Sequence, residues 1–298
     1  MTKESRNRGI IGVDIGGSHI SAAKAEWNGD RAEVLSFAES DVDTFGNVGQ
    51  IIEAWSSVIR KVAEGEIAPQ IGIAMPGPFD YSNGISLIQD QGKMKSLFGL
   101  SVKNLLAESL GIPPENIAFT NDAEAFLKGE SFGGAGRNFS NSLGLTLGTG
   151  LGSAIKMEEV VKDAKLWTAP FRDGIAEDYL GTGWFKKYAK DKFGMEISGV
   201  RDLVTEGFDP LLSQEIFKEF GRSLGEFLFP YLIRLHSEGV VLGGKISKAA
   251  SFFLPFTEEY LKSMQVDIPF QVSELGENAA LIGATLHFVN ESIFSSRF

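Results

Sequence analysis

Gly9-Ile10-Ile11-Gly12-Val13-Asp14-Ile15-Gly16-Gly17-Ser18 is the stretch on which the architecture turns. Its apolar run reads as a strand, Gly16-Gly17-Ser18 as a turn and 20–25 as the returning strand, which predicts a tight β-hairpin. The design recurs near mid-chain: 142–147 is apolar, Gly148-Thr149-Gly150-Leu151-Gly152 is the turn, and 153–155 resumes the strand. Aligning Gly12 with Gly144 offsets the chain by 132 residues, and the same offset sets Asp14 on Thr146 and Gly16 on Gly148. Solenoid repeats recur every roughly 20 to 50 residues. One long spacing points instead to a duplicated, two-lobed α/β fold whose lobes face each other across a central cleft.

The rest of the chain alternates strands with helices. Residues 47–63 have helical periodicity, 70–74 form a short apolar strand ending at Pro76-Gly77-Pro78, and 102–110 read as a helix. Residues 117–120 lead as a strand into Asn121-Asp122, where a helix carrying Phe126 and Leu127 begins. Beyond the second hairpin, 178–193 and 211–235 are helical, 239–242 is a strand ending in Gly243-Gly244-Lys245, and a last helix covers about 278–289. The expected lobes are 1–120 and 121–298, with the last helix packing back on the first.

Composition narrows the function classes. The 298 residues are 43% hydrophobic, enough for more than one compact core. With no cysteine, disulfides, thiolate zinc sites and thiol catalysis are excluded, and three histidines make a histidine-rich metal site a poor expectation. A formal net charge of −11 disfavours nucleic acid, whose binding relies on Lys and Arg neutralising phosphates. No apolar run reaches the roughly 18 to 20 residues of a membrane span, and the start of the chain, 1–9, is polar and basic without an apolar segment after it. The expectation is a cytoplasmic protein with neither nucleic-acid nor membrane partners.

Two constellations carry chemistry. Asp14 stands beside Gly16, Gly17 and Ser18, whose backbone N–H groups can approach a phosphate closely while the carboxylate holds magnesium through water. Gly-Gly is also a common turn dipeptide. The second loop, with Gly148, Thr149 and Gly150, makes a pair of clamps on a polyphosphate chain the better reading. Neither loop has the Gly-x-x-x-x-Gly-Lys-Ser/Thr pattern, and neither opens a dinucleotide-binding βαβ unit. Asp122, where a strand passes into a helix, is either an N-cap or the base that accepts a hydroxyl proton during phosphoryl transfer. Asn121 can hold a neighbouring hydroxyl. Pro76 and Gly77 either form a rigid turn or line an acceptor pocket with backbone, and Gly243-Gly244 is either a close-packing turn or a flat surface for an adenine.

In order along the chain, Asp14-Ile-Gly-Gly-Ser, Pro76-Gly-Pro, Asn121-Asp-Ala-Glu-Ala, Leu147-Gly-Thr-Gly-Leu-Gly, Val241-Leu-Gly-Gly and Leu275-Gly-Glu-Asn-Ala-Ala-Leu-Ile-Gly-Ala resemble the ROK family of sugar kinases and repressors. The similarity runs from about residue 9 to 289. It implies an actin-like, ribonuclease H-like fold, ATP with Mg2+ as donor, a small sugar as acceptor and often a homodimer. Carried across by position, Asp122 is the catalytic base, and Pro76, Gly77, Asn121 and Glu177 bind the sugar. Asp14, Gly16, Gly17, Ser18, Gly148, Thr149 and Gly150 hold the phosphates and magnesium, and Gly243 and Gly244 the adenosine.

Two family features are missing. The segment 153–176 has no Glu-x-Gly-His and no histidine, and no cysteine-rich zinc loop follows it, so no zinc site is expected. Asp163, Trp167, Arg172 and Asp173 are the candidates to replace those sugar contacts. The resemblance therefore implies a glucokinase-like hexose kinase, with polyphosphate as an alternative donor and a non-catalytic sugar sensor as an alternative function. Repressors of the family carry a helix-turn-helix before the first hairpin, where this chain has only about eight residues, so repression by that route is not expected.

Overall fold

The computed structural model describes residues 9–28, 31–89 and 93–289; the polar, basic start at 1–8 lies outside the described residues. β1 (Ile10–Ile15) turns into β2 (His19–Asn28), which pairs with β3 (Arg31–Asp41), both pairings antiparallel. After α1 (Val48–Val62) the chain enters β4 (Gln70–Met75), parallel to β1. A short ladder of β5 (Phe79–Asp80) with β6 (Ile85–Ser86) precedes α2 (Val102–Leu110). β7 (Ile117–Asn121) then pairs in parallel with β4 and passes directly into α3 (Asp122–Gly133).

The sequence of moves then repeats. β8 (Asn141–Leu147), β9 (Leu151–Met157) and β10 (Val160–Asp163) form an antiparallel meander. The ladder of β11 (Pro170–Phe171) with β12 (Gly174–Ile175) leads into α4 (Ala176–Leu180), α5 (Thr182–Phe193), α6 (Val200–Leu203) and α7 (Pro210–Arg234). β13 (Gly239–Gly243) pairs in parallel with β8, and after α8 (Ala250–Ser263) β14 (Phe270–Val272) pairs in parallel with β13. α9 (Asn278–Thr285) follows.

The two five-stranded sheets have the orders β3-β2-β1-β4-β7 and β10-β9-β8-β13-β14. Strand for strand they match, each with an antiparallel meander on one side and two parallel strands on the other. The duplication read from Gly12 and Gly144 therefore extends to whole sheets. The turns differ: Gly16, Gly17, Ser18 and His19 separate the paired Ile15 and Ile20, whereas only Gly148, Thr149 and Gly150 separate Leu147 and Leu151. Leu151 and Gly152, expected in the turn, already belong to β9.

The chain divides into two compact units, one comprising the residues through Gly133 together with those from Glu277, the other Gly134–Gly276. The division falls after α3, not at 120, because α3 packs against α9. The first unit's core centres on Ile11, Val13, Ile71 and Ile73 of the sheet, covered by Ile51, Trp55, Val58 and Ile59 of α1. Each such side chain, fully buried, stabilises by roughly 1.5–3 kcal/mol. α1 starts at a capping box, in which Asn47 Oδ1 accepts the Gln50 N–H at 3.0 Å and Gln50 Oε1 accepts the Asn47 N–H at 3.0 Å. The second unit's core joins Leu143 and Leu145 to Phe185, Phe217, Phe220 and Phe253. Among the described residues no helix is long and apolar enough to cross a membrane.

Two expected elements are broken. The helix read over 178–193 stops at Gly181, whose backbone is extended (φ −107°, ψ 171°), so α4 and α5 are separate. A Cβ there would stand 2.9 Å from the Thr149 carbonyl oxygen, so the second turn and the break fit each other. The helix read over 278–289 ends at Thr285 and continues as one 3-10 turn, Leu286–Phe288.

α9 lies on the first sheet through missing side chains. Built Cβ atoms at Gly12 of β1 and Gly72 of β4 would collide with the carbonyls of Leu281 and Ala284. Against α3 the fit is reciprocal: Gly129 faces the Ala279 carbonyl, and Gly283 faces that of Ala125. Gly12, Gly72 and Gly129, with Gly283 of the 275–284 motif, thus let α9 sit in backbone contact with β1, β4 and α3, the elements that end at Ile15, Met75 and begin at Asp122.

Candidate active site

In the first unit, strand register gathers the sequence-predicted residues. Asp14 pairs with Ala74, Ala74 with Thr120, and Met75 with Asn121, so β1, β4 and β7 end side by side. Gly16-Gly17-Ser18, Pro76-Gly77 and Asn121-Asp122 leave those ends in turn. Ligands of open α/β sheets bind at the carboxyl ends of parallel strands.

Asn121 is the helix cap. Its Oδ1 accepts the Glu124 N–H at 3.1 Å, satisfying one of the open donors of α3. The capping role open to Asp122 therefore falls to its neighbour. Asn121 Nδ2 donates to the Tyr81 hydroxyl at 3.2 Å, and Tyr81 donates to the Met75 carbonyl at 3.1 Å. That relay ties the β7 end to the β4 end beside Pro76 and Gly77; a Cβ on Gly77 would come within 3.3 Å of the Tyr81 oxygen. Tyr81 is a site residue that no sequence pattern marks. Asp122 is partly buried, and its Oδ1 accepts the N–H of Ala123 at 2.8 Å.

Asp14 shares this environment. Burial, and next the negative charge of Asp122, push its carboxyl up to about 7, while His19 pulls weakly the other way. A buried carboxyl whose proton affinity is raised further by a second carboxylate is a functional arrangement more often than a structural one. Gly17 and Ser18 direct their carbonyls inward: Thr44 Oγ1 donates to Gly17 O at 2.8 Å and the Val42 N–H to Ser18 O at 2.9 Å. Among the described residues the Gly17 and Ser18 N–H groups meet no acceptor, which suits an anion.

The second unit gathers its own set. Gly243 pairs with Thr146, and Gly244, at φ +81°, has no room for a Cβ beside the Leu147 carbonyl. Gly148, Thr149, Gly150, Gly243 and Gly244 therefore lie together at the ends of β8 and β13. The turn is held from outside. The Thr182 N–H and hydroxyl both donate to Gly148 O at 2.8 Å, and Glu177 Oε2 accepts the Leu151 N–H at 2.9 Å. Gly150 packs so closely on that carboxylate that a Cβ would overlap it. Glu177 thus braces the second turn, a role the resemblance does not imply, and Thr182 is a second brace without a sequence signature.

The proposed substitutes for the missing sugar contacts are engaged in the second unit's own packing. Asp163 accepts the Lys165 N–H at 2.8 Å. Arg172 donates to Glu219 at 3.3 Å and Glu226 at 2.7 Å and lies over the rings of Phe171 and Tyr179. Asp173 accepts the Tyr179 hydroxyl, and Trp167 packs against the core.

The model of the ROK family matches residues 10–164, spanning both hairpins. Over 169 residues the chain is 32% identical to a glucokinase of Thermotoga maritima. That alignment covers 57% of this chain and 49% of the glucokinase, so the chain spans about half the length of that curated relative. It is 24% identical over 299 residues to a β-glucoside kinase of Klebsiella pneumoniae, covering 94% of this chain and 95% of the relative. In fold it is similar to a ROK family glucokinase from Streptomyces griseus solved with glucose and AMPPNP, at a TM-score of 0.74 and 22% identity over 94% of this chain and 98% of the other. With more than half its length matched by the family model, the chain belongs to the ROK family.

Proposed function

We propose that this protein is a cytoplasmic carbohydrate kinase that transfers the terminal phosphoryl group of ATP to a hydroxyl of a hexose-type sugar. The observation that carries the reading is the electrostatic coupling of Asp14, near the end of β1, to Asp122, at the end of β7 in the same sheet, beside a turn whose Gly17 and Ser18 amides meet no acceptor among the described residues. The kinase names of the Thermotoga and Klebsiella relatives support it.

Asp122 serves as base. The sugar hydroxyl oxygen forms a bond to the terminal phosphorus as the bond from that phosphorus to the bridging oxygen breaks. The electron pair stays on ADP, and the hydroxyl proton passes to the Asp122 carboxylate. Asn121, whose amide has a second N–H besides the one given to Tyr81, orients the acceptor with the Pro76-Gly77 backbone. Gly16, Gly17 and Ser18 receive phosphate oxygens. In the second unit Gly148, Thr149 and Gly150 do the same, with Gly243 and Gly244 as the adenosine surface. We assign Glu177 to the bracing of that turn and only through it to the substrates.

Mg2+ fits the donor set. Among the described residues no three His, Cys, Asp or Glu side chains converge into a cage. Magnesium does not need one, being held by one or two carboxylates, water and substrate phosphates. Asp14, crowded by Asp122, is the carboxylate that a cation would relieve. Bound there, the ion would neutralise charge on the donor phosphates.

The test is ATP consumption against a sugar panel, with polyphosphate as a parallel donor and Asp122→Asn as control. Phosphorylation of at least one sugar that the variant loses is the expected result. Sugar-dependent thermal stabilisation without turnover would establish a sensor instead. Light scattering of the same preparation tests for the expected homodimer.

A further inference from the structure

Lys93 has no part in the roles above, yet its side chain lies over the first glycine turn. A Cβ built on Gly17 would stand 3.0 Å from both Cδ and Nζ of Lys93. The next residue anchors this approach. Met94 is 1% exposed, and its N–H donates to the Thr44 carbonyl at 2.8 Å. Thr44, 2% exposed, uses its hydroxyl to donate to the Gly17 carbonyl at 2.8 Å. One buried threonine thus fastens the segment bearing Lys93 to the turn that Lys93 covers.

The electrostatics of the turn favour a cation in addition to the magnesium assigned to Asp14. A phosphoryl group that reaches Asp122 approaches two carboxylates, and the Gly17 and Ser18 amides supply only partial positive charge. Among the described residues Lys93 has no ion-pair partner. Preorganised cations aimed at transferring phosphoryl oxygens are among the larger contributions to such reactions.

We propose that Lys93 is a second catalytic residue, the cationic contact for the transferring phosphoryl group at Gly16-Gly17-Ser18. The proposal rests on the kinase reading. Lys93 neither gives nor takes a proton. It binds the phosphoryl oxygens while the bond to the sugar oxygen forms, the bond to the ADP oxygen breaks and Asp122 takes the hydroxyl proton.

Lys93→Met and Lys93→Arg are compared with the wild-type chain in steady-state kinetics, and by thermal shift with inorganic tripolyphosphate. Expected for Lys93→Met is a fall of about 10- to 100-fold in kcat/KM for ATP, with the sugar KM within about twofold, the melting temperature unchanged and the stabilisation by tripolyphosphate lost. Arginine restores part of both. If the wild-type protein phosphorylates a sugar and Lys93→Met retains both its kcat/KM and its tripolyphosphate shift, the role of Lys93 is overturned and the kinase reading stands. If no sugar is phosphorylated but tripolyphosphate stabilises only the wild type, Lys93 remains a phosphate contact and the kinase reading falls. Absence of both turnover and tripolyphosphate stabilisation in the wild type overturns both, as a lowered melting temperature with unchanged kinetics would make Lys93 merely structural.

Discussion

The Glu177 carboxylate accepts the N–H of Leu151 at 2.9 Å, immediately after the glycine turn at Gly148. A charged acceptor on a backbone donor contributes roughly 1.5–3 kcal/mol, and here it fixes the first residue of β9 in place. Glu177→Ala is therefore expected to destabilise the second unit by about 1–3 kcal/mol. It should raise the KM for ATP more than that for the sugar, and Glu177→Gln should recover much of both. Denaturant melts with paired KM values check this; a rise confined to the sugar KM would make Glu177 a direct sugar ligand.

Asn121 combines a cap with a cross-strand tie. Asn121→Ala removes the acceptor for Glu124 N–H and the donor to Tyr81. The expected cost is about 1–2 kcal/mol from the cap, with a raised sugar KM. Tyr81→Phe keeps the cap but takes the hydroxyl from Asn121 Nδ2 and the Met75 carbonyl, so it should cost less, about 1 kcal/mol, and raise the sugar KM. Equal stability losses in the two variants would contradict this division.

Asp14 should make stability depend on pH. Its folded value of about 7 lies above the ordinary 3.8, so between those limits the folded chain holds a proton that the unfolded chain has lost. The contribution of the protonated form is complete below about pH 4 and is lost as pH rises through 7. Asp14→Asn removes this dependence. Without metal at pH 8 the variant should be more stable than wild type by roughly 1–4 kcal/mol, with the gain vanishing near pH 4. Urea titrations at both pH values in EDTA measure it, and an equal gain at both would rule the explanation out.

Gly283 carries a steric prediction. A methyl group there would run into the Ala125 carbonyl of α3. Backbone cannot yield as a side-chain tip can, so Gly283→Ala should cost at least about 2 kcal/mol and displace Asp122 with the start of α3. Gly133→Ala, at the other end of that helix with nothing within 4 Å, is the control and should be nearly neutral. Melting temperatures and turnover should fall together in the first variant alone.

The sequence by itself determined both hairpins and their offset, because glycine turns between apolar runs are local events with local signatures. Asp14, Asn121 and Asp122 were legible for the same reason: each stands at a strand end that periodicity locates. No side chain described along the edge strand β3 is fully buried, so neither of its faces demands apolar residues, and α8 contains Pro255, a residue that ordinarily interrupts helices, so neither shows a clear sequence signal. Tertiary structure alone decided which neighbours the polar groups would choose. Glu177 braces a turn, Asn121 rather than Asp122 caps α3, and Arg172 is taken up by Glu219 and Glu226. Hydrogen bonding depends on distances of a few tenths of an ångström between residues far apart in the chain. Tyr81 and Lys93 reach Asn121 and Gly17 across 40 and 76 positions, where no spacing rule operates and only the folded backbone brings the two members of each pair together.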